Sequence, residues 1–282
     1  ETLLAAAEGD RDVPTMLLWY GDRSLHLLGD GGLGLALSEG MDGILLESLF
    51  DLRNEREMLA EPCELFVISL IDEQGATAQL SSSDGWAQSR MKISGGTGQE
   101  AQVSATWSLP REDGVDGIEV ALAGRVSGEM SGWKLTVSNS SERWSINTAT
   151  CPQVTIASLG EDGSDDTLLV PRGFGVGYPN PGATGPRYRG SYPSGGCAMQ
   201  WMACTDADGG VYVAAHDPTA ATKTLIAISD AAAAGVEMAV EVPAPDASVP
   251  GNDFATDGEV IIALTEGGWY PATQKYRDWL AR

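Results

Sequence analysis

The chain has 282 residues, enough for one large domain or two smaller ones, with 17 basic against 40 acidic residues and a formal net charge of −23. That balance excludes a nucleic-acid reader, which needs a basic footprint for phosphates, and an anionic membrane surface; no apolar run approaches the roughly 18 residues of a membrane-spanning helix. Neutral ligands such as sugars fit the charge, which by itself also keeps a protein in solution through like-charge repulsion.

Glu1 opens no basic, apolar, small-residue succession, so the sequence assigns no compartment. Residues 3–7 have the composition of a short helix, and 15–20 of a first strand. Strands follow at 24–28 and 33–37 around the turn Gly29-Asp30-Gly31-Gly32, then at 44–49, 64–71, 76–80, 86–93, 102–109, 117–126 and 133–138. Their turns carry Gln74-Gly75, Asp84-Gly85, Gly95-Gly96 and Asp113-Gly114. Alternation is strict in places: Ala101, Val103, Ala105, Trp107 and Leu109 share one face, as do Trp133, Leu135 and Val137. Such period-2 patterning gives one buried and one wetter face, as in antiparallel sheets. The strands at 211–215, 224–228, 236–240 and 259–264 alternate less cleanly. Many short strands with frequent turns predict an all-β sandwich of two large sheets, bigger than an immunoglobulin domain.

Residues 171–196 break the rhythm with five prolines, eight glycines and four aromatics. A connection this long inside a compact domain tends to be functional. It also gathers Arg172, Arg187 and Arg189 beside Tyr178, Tyr188 and Tyr192 in a chain poor in basic residues. The end of the chain switches to helix: Ala272, Tyr276, Trp279 and Leu280 recur at i, i+4, i+7 and i+8, one apolar face that docks on the sandwich, leads into a further domain, or does both.

Several motifs are excluded on their spacing. Gly173-x-Gly175-x-Gly177 lacks the dinucleotide fingerprint, and prolines follow where a helix should begin, so no cofactor is expected. Asp206-Ala207-Asp208-Gly209-Gly210 lacks the distal Glu of a calcium loop and reads as a hairpin turn between 199–205 and 211–215. Glu161-Asp162 and Asp165-Asp166 read as a solvated acidic loop. With two histidines, His26 and His216, no His-rich metal site is expected, and no Gly-x-Ser-x-Gly elbow supports a serine hydrolase. His26 reads as packed among leucines; His216-Asp217 ends a strand before Pro218, either pointing into a cleft or making local hydrogen bonds. Cys63, Cys151, Cys197 and Cys204 form no CxxC pair. Cys197 and Cys204, placed on one strand, stand ~20 Å apart, too far for a bridge. Buried free thiols are expected, with a disulfide between distant segments left open.

The stretch Leu135-Thr136-Val137-Ser138-Asn139-Ser140-Ser141, leading through Ile146 to Cys151-Pro152-Gln153-Val154, resembles the galactose-mutarotase-like supersandwich domains of glycoside hydrolases. So do Tyr192-Pro193 through Ala203 and Gly209-Gly210 through Pro218. The segment from Trp269-Tyr270-Pro271-Ala272 to Tyr276-Arg277-Asp278-Trp279 is similar to the helix leading from such a sandwich into a catalytic (β/α)8 barrel. The resemblance implies a large antiparallel supersandwich at 1–266 and a helical connector at 267–282 toward a C-terminal catalytic domain of the same polypeptide. It also implies catalytic carboxylates outside this chain. The expected partner is an oligo- or polysaccharide, met at a surface of Arg172, Tyr178, Arg187, Tyr188, Tyr192, Trp201, His216 and Asp217, with docking on the barrel as the equal alternative for the 171–196 loop. There, aromatic faces stack on sugar rings and guanidinium forks bind hydroxyls. The alternatives are a free-standing carbohydrate-binding module and an aldose epimerase or lyase on the same fold; family epimerases use histidines, which are scarce here.

Overall fold

The structure is a computed structural model describing residues 15–20, 24–41, 43–83, 85–97, 100–112, 114–230 and 235–282. The helix expected at residues 3–7 lies outside the described residues, as do Asp84 and Asp113 of two expected turns. Among the described residues the fold is all-β apart from two helices, and the strands form three antiparallel sheets rather than two.

The largest sheet has ten strands. In spatial order it runs Val176–Pro179, Thr167–Val170, Trp201–Thr205, Gly210–His216, Glu259–Thr265, Met130–Asn139, Ile118–Ser127, Glu100–Pro110 and Trp86–Thr97, with Phe254–Ala255 paired beside Met130–Asn139. A six-stranded sheet faces it, in the order Arg187–Tyr192, Lys223–Asp230, Gly235–Pro243, Trp144–Ala157, Val67–Asp72 and Thr77–Ser81. The second six-stranded sheet is a meander of Thr15–Tyr20, Ser24–Gly29, Leu33–Glu39, Ile44–Asp51 and Arg56–Glu57, with Cys63–Glu64 paired to Ile44–Asp51. Its Leu25, Leu35 and Leu46 join the same core as Trp107, Leu135, Val154 and Met238 from the other two sheets. Phe66 sits edge-on to Trp107 in this core, ring centroids 4.8 Å apart.

The strand expected at 64–71 is broken. Cys63–Glu64 pairs in the meander and Val67–Asp72 in the facing sheet, so the chain crosses between layers at the fully buried Leu65 and Phe66. Pro152 lies inside a central strand and is tolerated because the register shifts between Thr150 and Gln153, where a missing N–H costs no ladder bond. Leu109 departs from its expected face: its backbone turns left-handed at φ 57° and the side chain ends exposed, while Ala101, Val103, Ala105 and Trp107 are buried as the alternation requires.

The Pro/Gly-rich 171–196 segment contains more structure than its composition suggests. Val176–Pro179 and Arg187–Tyr192 are edge strands of two different sheets, where proline is admissible, and Pro181–Thr184 forms one helical turn, α1. Cys197 precedes the strand holding Cys204 instead of sharing it, and all four cysteines are free and buried. Asp166 is buried rather than solvated, its carboxylate accepting the Leu159 N–H.

The C-terminal helix α2, Trp269–Leu280, covers the outer face of the ten-stranded sheet. That face carries Trp201, Ala203, Tyr212, Ala214, Ile261 and Ala263, and the small alanines let the helix approach closely. Ala272 and Tyr276 are buried there and Trp279 packs alongside, whereas Leu280 lies on the flank, exposed. The central strands are therefore buried on both faces, which is why their sequences do not alternate. Lys275 pairs with the Glu129 carboxylate and fastens the helix to the hairpin between Ile118–Ser127 and Met130–Asn139.

Tyr276→Ala should cost about 3 kcal/mol in urea unfolding and Leu280→Ala no more than about 0.5 kcal/mol. Equal, small losses would mean that the helix is not docked.

Candidate functional site

The residues expected to bind carbohydrate do not converge on one open surface. On Arg187–Tyr192 the side chains alternate, Arg187 and Arg189 outward and Tyr188 inward. The buried Tyr188 hydroxyl donates to the Gly196 carbonyl at 2.7 Å, and burial pushes its pKa up. A Cβ at Gly190 would fall 2.0 Å from that hydroxyl, so this glycine makes room for the ring. Arg189 is taken by Glu241 at 2.8 Å. Arg172 is exposed, and Tyr178 is half-buried against the core.

Asp217 and Lys223 form a buried ion pair at 2.7 Å linking the end of Gly210–His216 to the start of Lys223–Asp230. The ammonium also donates to Gln200 Oε1 at 2.6 Å and the Ala221 carbonyl at 2.6 Å, and lies 5.0 Å from the ring centre of Tyr192. Its three donors are thereby satisfied, and Asp217 further accepts from Thr219 and Ala221. Such a pair costs desolvation and is held only by complete hydrogen bonding, which is the situation here. The Asp217 pKa stays low despite burial, because Lys223 and Thr219 hydrogen-bond the charged form.

His216 is buried too. Trp279 stacks on its ring at 4.7 Å and 10°, and the Tyr212 hydroxyl lies 3.3 Å from Nε2. Burial lowers its pKa to about 4, with Glu259 pulling upward and Arg125 offsetting that pull. Arg125 holds Glu259 by two bonds, Nε to Oε1 at 2.9 Å and Nη2 to Oε2 at 2.6 Å. A small cavity of 110 Å³ opens beside these groups, next to Lys275 and Arg282. His26 lies elsewhere, buried in the meander, so the two histidines do not meet. No cluster of three or more metal-ligating side chains occurs among the described residues.

The larger opening is a cleft of 610 Å³ at the edge of the ten-stranded sheet, walled by Leu169, Met199, Trp201, Phe174, Trp269 and Thr273. Of the eight candidate residues only Trp201 lines it. The segment Gly173-Phe174-Gly175 crosses its mouth with left-handed glycines, φ 60° and 101°, that lift Phe174 fully into solvent. Trp269, at the start of α2, is 63% exposed on the same cleft. Phe174 had a sequence signal, an aromatic between glycines in a segment too polar and kinked to bury it; Met199 and Trp269 had none, because only the docking of α2 brings them there.

Compared with known protein families, the chain matches none. A Monosiga brevicollis protein provisionally named a glycoside hydrolase is 36% identical over 126 residues, which is 42% of this chain and 10% of that relative. Among solved structures, the α-N-acetylgalactosaminidase NagBb of Bifidobacterium bifidum aligns with a TM-score of 0.58 at 13% identity, over 95% of this chain and 38% of that one. A galactose mutarotase-like protein of Clostridium acetobutylicum gives 0.60 at 11% identity, over 92% and 100%. The GH36 α-galactosidase AgaA of Geobacillus stearothermophilus gives 0.57 at 10%, over 91% and 42%. At these identities the likeness is one of fold. The chain has the galactose-mutarotase-like supersandwich, a fold that occurs both alone and inside longer glycoside hydrolases.

A His216 pKa near 4 means that the folded protein does not take up this proton until well below the ordinary value of 6.5. Between those values the unfolded chain binds more protons, so this residue lowers stability as pH falls, by up to about 1.4 kcal/mol per pH unit. NMR titration should find the His216 imidazole neutral at pH 5.5, and a midpoint above 6 would contradict its burial under Trp279.

Proposed function

We propose that this chain is a non-catalytic sandwich domain of a glycoside hydrolase. Residues 1–266 form the sandwich and 267–282 the connector; the domain packs on a (β/α)8 catalytic barrel of the same polypeptide, and the 171–196 segment reaches the rim of its carbohydrate site. The observation that carries this reading is the two-sided helix α2. One face is buried through Ala272 and Tyr276, while Tyr270 and Leu280 stay more than half exposed at 58 and 62%. Apolar aromatic surface left open on a folded domain marks a contact with a partner body or a ligand. The same fold inside longer glycoside hydrolases supports the reading, as does the match to a much longer relative.

The condition of the polar groups favours a non-catalytic role. General acid–base chemistry needs a titratable pair open to substrate and poised near the working pH. Trp279 covers the His216 ring, and Lys223 neutralises the Asp217 carboxylate. Of the candidate rim residues, Arg172, Tyr178, Arg187 and Tyr192 keep enough exposure to meet a sugar, and Tyr188 acts from below by holding the Gly196 turn.

Polarimetry tests the choice between scaffold and epimerase. The chain should leave the interconversion of α- and β-galactose and α- and β-glucose at the rate in buffer. An acceleration that disappears in His216→Gln would replace this reading with an aldose epimerase.

A further inference from the structure

We infer that the 610 Å³ cleft between Phe174 and Trp269 is a binding site for a neutral saccharide, gripped between two exposed aromatic rings over the indole of Trp201. This deepens the glycoside-hydrolase reading and rests on it for the ligand class. The volume falls in the range of small-molecule sites, and the wall is mostly apolar with a few polar groups, as such sites require.

Three features select the ligand. First, the indole N–H of Trp201 is buried and has no hydrogen-bond partner among the described residues, and the residue is only 6% exposed. An indole is a donor only, and a buried donor left unpaired costs of the order of 1–3 kcal/mol. The ring borders the cleft while its N–H lies beneath the surface of the wall, so an acceptor held in the cleft meets it when the ring shifts on binding. A sugar hydroxyl or ring oxygen supplies that acceptor; an aliphatic side chain of a neighbouring domain does not. Second, no charged residue lines the cleft among the described residues, in a chain of net charge −23. That disfavours acidic sugars and leaves neutral ones. Third, the Phe174 and Trp269 side chains are exposed at the cleft, and Thr167 and Thr273 belong to its wall. Sugar rings offer apolar C–H faces to such platforms while their hydroxyls bond at the edge.

The backbone keeps the site open. A Cβ at Gly177 would come within 3.2 Å of Thr167 Cγ2 and 3.6 Å of Leu169 Cδ2, crowding the floor. The small cavity beside His216 is a poorer candidate, because it is much smaller and two of its three cations, Arg125 and Lys275, are already matched by Glu259 and Glu129.

The test uses the 282-residue chain and follows the indole N–H resonances of Trp201 and Trp269 by NMR. The probes are stachyose, maltotetraose and cellotetraose, with trigalacturonate as the anionic control. At least one neutral tetrasaccharide should shift both resonances saturably, and trigalacturonate should not. Phe174→Ala and Trp269→Ala should each weaken binding about tenfold, the worth of one aromatic stack. Both side chains are exposed, so an unchanged unfolding midpoint confirms intact folding. The inference is overturned if none of the neutral sugars moves the Trp201 resonance, if neither substitution changes the affinity, or if trigalacturonate binds as well. Failure here leaves the sandwich-domain reading standing, since that reading is decided by polarimetry and by the mass of the native polypeptide, not by occupancy of this cleft.

Discussion

The burial of both faces of one β-sheet organises this molecule. The inner face of the ten-stranded sheet contributes Val211, Val213, Val260 and Ile262 to the common core. Its outer face would expose Trp201, Tyr212 and Ile261 if helix α2 did not cover it. Removing that apolar surface from water holds the helix in place, since at twelve residues it would be marginal alone. Once docked, the helix sets the chemistry at both of its ends: Trp269 is delivered to the cleft, and Trp279 is laid across His216.

Sequence legibility followed from how each strand is solvated. Strands with one wet face, such as Ile118–Ser127, could be read from period-2 alternation, and their buried sets match it. Strands covered on both sides lose the period, so Gly210–His216, buried at every position, carries no signal for which residues face the helix. Edge strands were hidden for the opposite reason. Arg187–Tyr192 needs only one hydrogen-bonded neighbour, so its Gly- and Arg-rich sequence pairs with Lys223–Asp230 despite a loop-like composition. The change of sheet at Leu65-Phe66 left no mark, because an apolar run looks the same whether it continues in one layer or crosses between two.

The candidate site was legible only in part, because function there depends on contacts between distant segments. Aromatic and arginine content pointed to residues 171–196, and the cleft does lie against that segment through Phe174, Gly175 and Gly177. Tyr188 and Asp217 were singled out by side-chain type, yet each has a partner that closes it off: the Gly196 carbonyl for one, Lys223 for the other. In this fold polar groups suited to sugar binding serve equally to tie loops to the sandwich, and only the partner distinguishes the two uses. The unpaired indole N–H of Trp201 is the converse case, a buried donor left without a partner among the described residues.

The central claim is that this sandwich serves a larger glycoside hydrolase. The most direct measurement is the intact mass of the polypeptide made by its native host, with sequencing of its C-terminal peptides. The account predicts a mass far above the 29.6 kDa of these residues, with sequence continuing past Arg282 into a barrel domain. A native product of 29.6 kDa would contradict it and leave the cleft to act in a free-standing protein.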